Sequence, residues 1–202
     1  MKGILLIFLT VLSVSGSAQR FSRPEKWWAL THPFVACKAL KLSRLALAES
    51  KKMETDSLLD QDPLGGQVDA FRHAYWMALL SRHMSAKKAL SLGRAHEKGN
   101  YLSFKKQKAD EEGVLTDSLM SVMDLRNNEV GTGIGLASLQ AGADTTIMRA
   151  MIIQAILEGK LQIVLKDQQG NWLDCDGNKL NISVYLHRWY IPKCLVSSNK
   201  KR

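Results

Sequence analysis

Residues 67–83 read QVDAFRHAYWMALLSRH, an apolar run interrupted by ionisable side chains. Its apolar residues recur at helical spacing, which predicts a buried helix over this stretch. Asp69, His73 and Trp76 lie four and three residues apart, so they share one helix face. Ionisable groups on a buried helix cost free energy unless they meet partners. This helix therefore belongs either to a site or to a buried polar network, and Asp69 could alternatively serve only as a helix cap.

A second polar cluster, His96 and Glu97, lies on a helix predicted from about Ala86 to Lys98. His96 continues a line of small residues on that helix, positions at which two helices approach closely. We therefore expect His96 to face a neighbouring helix rather than water.

A third cluster, Asp124, Asn127 and Asn128, lies on a helix that opens at Asp117 and runs to about Val130. Helical spacing puts Asp124 and Asn128 on one face, with Asn127 a near neighbour. The closely spaced glycines at positions 131, 133 and 135 are expected to end the helix. Three such clusters on apolar helices suggest that the clusters meet one another.

The rest of the chain completes a mainly α, single-domain helical bundle. Residues 34–51 predict a helix with Cys37 buried on its apolar side, residues 99–116 predict a charged irregular connector, and a last helix runs from a cap at Asp144 to Gly159. From residue 161 the period changes to that of strands separated by turns. This change predicts a small C-terminal antiparallel β ribbon.

Residues 1–18 have the features of a secretory signal. Lys2 supplies the positive charge, Ile4 to Val14 form a short apolar run, and Gly16, Ser17 and Ala18 are small residues suited to cleavage. We therefore divide the chain into a signal peptide at 1–18, a helical domain at 19–160, and a ribbon with a basic tail at 161–202. The signal predicts that the mature protein is exported, to the periplasm or the extracellular space. No later stretch is apolar enough for a membrane span.

Basic residues outnumber acidic ones, 28 to 19, for a formal charge of +9, and removing Lys2 with the signal would leave +8. This excess favours anionic partners such as phosphorylated envelope polymers, lipid head groups or nucleic acid. The basic residues form short groups rather than one run, and no specific nucleic-acid motif accompanies them. Solvated helix faces on a basic secreted protein explain them equally well.

Three cysteines remain after the signal, Cys37, Cys175 and Cys194. An oxidising compartment favours one disulfide and leaves one thiol over. Cys175 and Cys194 both lie in the turn-rich C-terminal part, so we predict that they pair.

The three clusters resemble an uncharacterised bacterial domain family. Its pattern, R-H-A-x-W, A-H-E and D-L-x-N-N-x-x-G, is found here at 72–76, 95–97 and 124–131. The family occurs in secreted proteins and at the C-termini of toxin-like modules. The resemblance implies a mainly helical domain of unassigned activity, so it supplies positions and no reaction.

Our first hypothesis from the residues is a divalent metal site. His73, His96 and Asp124 would be the ligands of a metal such as zinc, with Asn127 or Asn128 as a further donor and Glu97 as base to a bound water. Such a site would support hydrolysis of an anionic, for example phosphate-containing, envelope or extracellular substrate. The predicted catalytic set is His73, His96, Glu97, Asp124 and Asn128, and the predicted binding set is Arg72, Asn127, Asp69 and Trp76.

Two alternatives remain open at this point. A histidine with a carboxylate could act as acid and base without metal, while Arg72 holds an anionic substrate. The clusters could instead form a structural polar network in a non-catalytic binding or interaction protein, with Arg72 paired to Asp124.

Overall fold

The computed structural model describes residues 21–106 and 116–200. The signal predicted at residues 1–18 lies outside the described residues, as does the middle of the connector predicted at 99–116. In the described part no helix is long and apolar enough to cross a membrane.

Helices dominate the fold, which confirms the mainly α prediction. In chain order they are α1 (Arg23–Thr31), α2 (Pro33–Met53), α3 (Gln67–Ser81), α4 (Ala86–Lys105), α5 (Ser118–Gln140) and α6 (Thr145–Leu157). The last helix begins at the predicted cap, where the Asp144 side chain accepts from the N–H of Ile147. Gly159, at a φ of 78°, follows its end, because glycine adopts this left-handed conformation without a Cβ penalty.

Helix α3 is the centre of the bundle. It packs against α2, α4, α5 and α6, and Phe71, Met77, Leu79 and Leu80 on it are almost completely shielded from solvent. Because apolar residues cover nearly its whole circumference, the polar side chains of its first half are carried into the interior.

Helix α5 corrects the prediction that its glycines end the helix, since it continues through them to Gln140. A Cβ at Gly131 would lie 2.2 Å from the carbonyl oxygen of Ala74, and one at Gly135 would lie 2.5 Å from that of Ala78. These glycines therefore let the backbones of α3 and α5 approach closely. Tertiary packing outweighs the helix-ending tendency of glycine here.

Two local predictions are also corrected. Residues 99–105 belong to α4 rather than to an irregular connector. Cys37 is exposed and not buried, because the buried face of α2 follows Ala39, Leu42 and Ala46 and Cys37 points away from that face.

The predicted antiparallel ribbon is present near the C-terminus. Strands β1 (Gln162–Val164) and β2 (Leu195–Ser197) pair antiparallel, and single bridges join Lys166 to Trp172 and Leu173 to Lys179. A short 3-10 helix, Ile182–Tyr185, lies in the excursion between the strands. The predicted disulfide Cys175–Cys194 is confirmed and staples that excursion to the start of β2.

Candidate metal site on helices α3 and α5

Asp69, His73 and Asp124 come together between α3 and α5. Nε2 of His73 lies 3.5 Å from Oδ1 of Asp69 and 3.3 Å from Oδ1 of Asp124. One potential ligand atom from each residue lies within 4.8 Å of the others. Two donor atoms bound to one tetrahedral ion lie about 3.4 Å apart, and the two distances from His73 are close to that value. We call these three residues the triad.

Asp69 is held in place by its neighbours at the start of α3. Its Oδ2 accepts from the backbone N–H of Gly65 at 2.7 Å, and its Oδ1 accepts from Arg72 at 2.6 Å. The N-cap of α3 is Gly66, so the expectation that Asp69 caps the helix is wrong. Asp69 instead accepts from the N–H of Gly65, which precedes the helix. Each carboxylate oxygen has a second lone pair, which leaves capacity for a metal.

Several buried polar atoms around the triad make no hydrogen bond. Among the described residues these include Nδ1 of His73, Oδ1 of Asp124, Oε1 of Glu97 and both side-chain polar atoms of Asn128. The Asn128 side chain lies close enough to His73 to favour the protonated ring and so oppose the lowering of its pKa, although neither Asn128 polar atom meets hydrogen-bond geometry. Unpartnered buried polar groups cost about 1–3 kcal/mol each. Such a concentration is unusual in a folded protein and marks this region as a candidate functional site.

The pKa values of the triad follow from burial among carboxylates. Burial first, and the charges of Glu97 and Asp69 next, raise the pKa of Asp124 well above its usual value. Burial also raises the pKa of Asp69, although Arg72 opposes that shift. Burial and the positive charges of Arg72 and His96 lower the pKa of His73 well below its usual value. His73 is therefore neutral at pH 7, which is the form that binds metals.

Glu97 lies beside the triad. Burial raises the pKa of Glu97, against the favourable charge of His96. Its Oε2 accepts from Asn100 at 3.2 Å, while Oε1 has no hydrogen-bond partner. A buried carboxyl with a raised pKa next to possible metal ligands is suited to proton transfer.

His96 lies outside the triad. Its ring centroid is 6.4 Å from that of His73, and its Nδ1 shares a hydrogen bond of 2.9 Å with Oε1 of Glu25. Although burial acts against the charge, the Glu25 hydrogen bond and the charges of Glu97 and Glu25 raise the pKa of His96. The His96 side chain is 32% exposed, so this pair forms the solvent side of the site.

Of the other predicted binding residues, some contact the site and some make structural contacts only. Trp76 packs edge-on against His96 at 5.5 Å and donates its indole N–H to Ser43 on α2. Arg72 pairs with Asp69 rather than with Asp124. The Asn127 side chain makes two hydrogen bonds with the backbone of Gln162. Oδ1 of Asn127 accepts from the Gln162 N–H, and Nδ2 of Asn127 donates to the Gln162 carbonyl, each at 2.9 Å. Asn127 therefore anchors the ribbon to α5.

The ribbon supports the loop in front of the triad. Lys166 and Lys193 lie 4.0 Å and 3.7 Å from the ring centroid of Trp172, and the ring lies close to Gly65. We call Lys166, Trp172 and Lys193, with the carboxylates of Asp62 and Asp117, the C-terminal clasp. The backbone N–H of Val164 donates to the carbonyl of Gly65. Gly65, whose N–H donates to Asp69, is thus hydrogen-bonded to the first strand of the ribbon.

Sequence reasoning missed Glu25, which reaches His96 across 71 residues of chain. Its local role was visible, because Ser22 and Glu25 form a capping box at the start of α1. In that box Glu25 accepts from the N–H of Ser22 through Oε2, which leaves Oε1 for His96. The sequence offers no signal for this second contact.

The chain is therefore a mainly α domain that carries a candidate metal site, the buried triad. Residues 26–160 match the family described as Domain of unknown function (DUF6973), and the chain belongs to that family. Comparisons with curated proteins and with solved structures find no match. The matched range contains the whole triad and ends just before β1.

Proposed function

We propose that this protein is a metal-dependent hydrolase that acts on an anionic, phosphate-containing substrate. The observation that carries the proposal is Oδ1 of Asp124, a buried carboxylate oxygen that lies 3.3 Å from His73 and has no hydrogen-bond partner. A divalent cation bound between Asp124, His73 and Asp69 would satisfy that oxygen and offset the charge that burial disfavours. One imidazole and two carboxylates suit a transition metal such as zinc or manganese.

The proposed ligand set differs from the one expected from the sequence. Asp69 takes the place of His96, which is engaged by Glu25. The outer part of the site then supplies the remaining roles. With a metal bound, Glu97 would serve as the base that accepts a proton from the attacking water, and His96, oriented by Glu25, would serve as the acid. Arg72 would attract the substrate anion.

The exposed fractions of the side chains are consistent with this division. Asp69, His73 and Asp124 are each less than a tenth exposed, whereas the Arg72 and His96 side chains are 21% and 32% exposed. Positive or protonatable groups thus lie between the buried carboxylates and solvent. An anionic substrate would meet Arg72 and His96 first.

A structural network is the competing explanation, and the unpartnered atoms count against it. A stabilising network pairs its buried donors and acceptors, as Asn127 does with Gln162. His73, Asp124 and Asn128 each leave at least one buried polar atom without a hydrogen bond.

The metal is tested first, on chelator-treated full-length protein. Titration calorimetry with manganese and zinc should show one site, and His73→Gln or Asp124→Asn should abolish it. Asp144→Asn is the matched control, because asparagine caps a helix as well as aspartate does and only a carboxylate remote from the triad is lost. No binding by the wild-type protein, or binding unchanged in Asp124→Asn, would overturn the metal site.

Turnover is tested second, with bis(p-nitrophenyl) phosphate and phospholipid substrates and the metal-loaded protein. Glu97→Gln should lower kcat by about a hundredfold or more while leaving metal affinity in place. Metal binding without turnover of either substrate would reject the hydrolase and retain the metal site.

A further inference from the structure

The first two helices expose apolar side chains on one surface. Trp27 and Leu30 on α1 are 69% and 72% exposed, and Phe34 at the start of α2 is completely exposed. Large aromatic side chains in this position lose the hydrophobic stabilisation of burial. The three residues fall within one short stretch of chain around the turn from α1 to α2.

Helical phase extends this surface along both helices. Arg23, Trp27 and Leu30 are four and three residues apart on α1, which places them on one face, opposite the side that buries Trp28. Phe34, Lys38, Lys41 and Leu45 follow the same spacing on α2, away from the side that buries Ala39, Leu42 and Ala46. Each helix thus presents apolar and basic side chains together.

The charge on this surface is of one sign. Between residues 21 and 48 the exposed ionisable side chains are all basic: Arg23, Lys26, Lys38, Lys41 and Arg44. Glu25 is the acidic residue of the stretch, and its side chain is only 12% exposed because it faces His96. The surface therefore attracts anions without local compensation.

We propose that this face of α1 and α2 docks the protein onto an anionic phospholipid bilayer. Aromatic side chains together with lysine and arginine are the composition of interfacial helices, in which rings enter the head-group region and cations meet lipid phosphates. A purely acidic protein surface would satisfy the lysines, but it would leave the exposed Phe34 and Trp27 without an apolar environment. A bilayer surface satisfies both, and the inference is independent of the metal site.

The single free thiol of the chain provides a direct probe. Cys37 is exposed and lies one helical turn after Phe34 on the same face of α2. An environment-sensitive fluorophore on Cys37 should shift to shorter wavelength when phosphatidylglycerol vesicles are added, and should not shift with phosphatidylcholine vesicles. A label that stays in water while the protein sediments with vesicles would overturn docking through this face.

Matched variants separate the apolar and the charged contributions in vesicle sedimentation. Trp27→Ser with Phe34→Ser should weaken binding by about tenfold or more, whereas Leu139→Ser with Ile147→Ser, which removes exposed apolar groups elsewhere, should not. Lys38→Glu with Lys41→Glu should weaken binding more than Lys87→Glu with Lys88→Glu, which changes net charge equally on exposed α4 positions. Equal effects within either pair, or absence of binding by the wild-type protein, would overturn the proposal. A dimer in light scattering that Phe34→Ser dissociates would do so too, in favour of contact between two copies.

Discussion

The C-terminal clasp and the triad both bury charged groups, but only the clasp pairs all of its charges. In the clasp, Lys166 donates to Asp62 and Lys193 donates to Asp117, each at 2.6 Å, and both ammonium groups lie close to the Trp172 ring. In the triad, buried atoms of His73 and Asp124 have no hydrogen bond. Paired buried charges stabilise one structure, whereas unpaired buried groups are costly and mark a candidate functional site.

This difference predicts the largest loss of stability in the clasp. Asp117→Ala would leave the Lys193 ammonium buried without its carboxylate and would remove the cap that accepts from Leu119 and Met120. The free energy of unfolding should fall by about 3–5 kcal/mol, measured by urea denaturation. Lys160→Ala, which breaks an exposed pair with Glu158, should cost less than about 1 kcal/mol. Equal costs for the two variants would contradict the structural role of the clasp.

Loss of the disulfide should have the next largest effect. Cys175 and Cys194 are separated by 19 positions, and a loop of this size corresponds to about 3 kcal/mol in the loop-entropy account. The Cys175→Ser, Cys194→Ser double variant should therefore unfold at lower urea concentration while still binding one metal ion per chain. If stoichiometric binding disappears in a variant that remains folded by circular dichroism, the disulfide-linked ribbon and the triad are not separable regions.

Two glycines of α5 test how closely α3 and α5 pack beside the triad. Gly131→Ala would put a Cβ 2.2 Å from the backbone of Ala74, whereas a Cβ at Gly133 would meet nothing within 4 Å. The first substitution should cost about 2 kcal/mol or more by forcing α3 and α5 apart. The second should stabilise the helix by about 0.5–1 kcal/mol. Thermal unfolding of both variants measures the contrast, and equal shifts would show that the two helices do not pack as closely as described.

These examples also show what the sequence could reveal. The helical period of residues 67–83 placed Asp69 and His73 on one buried face, and turn chemistry with two cysteines placed the ribbon and its disulfide. Both are local patterns. The continuation of α5 through Gly131 depends on Ala74 of another helix, and the position of His96 depends on Glu25. Contacts between distant residues override local preference and leave no periodic signal.

At the triad, removal of a charge should cost little. Burial raises the pKa of Asp124, so its ionised form opposes folding at neutral pH. Asp124→Asn should leave the free energy of unfolding of the metal-free protein unchanged or raise it by up to about 1 kcal/mol. Metal at a hundred times its Kd should stabilise the wild-type protein by about 2.7 kcal/mol and leave this variant unaffected. A loss of 2 kcal/mol or more without metal, on the scale of about 1–3 kcal/mol for an unpaired buried group, would instead make Asp124 a structural residue.

The smallest effect is expected at the His96–Glu25 pair, which is partnered like the clasp but lies at the solvent side of the triad. Against the effect of burial, the His96 hydrogen bond lowers the pKa of Glu25, and Glu25 raises that of His96. The pair therefore stabilises the fold fully between the ordinary pKa values of the two groups, 4.5 and 6.5. This contribution is lost as pH falls through the lowered pKa of Glu25 or rises through the raised pKa of His96. Because His96 is a third exposed, the effect should stay below about 1 kcal/mol.

Glu25→Gln keeps the capping box and should return the His96 pKa towards its ordinary value in an NMR titration, with His83 as the internal control. An unchanged His96 titration would show that Glu25 does not orient this ring, and the site would then lose its proposed acid.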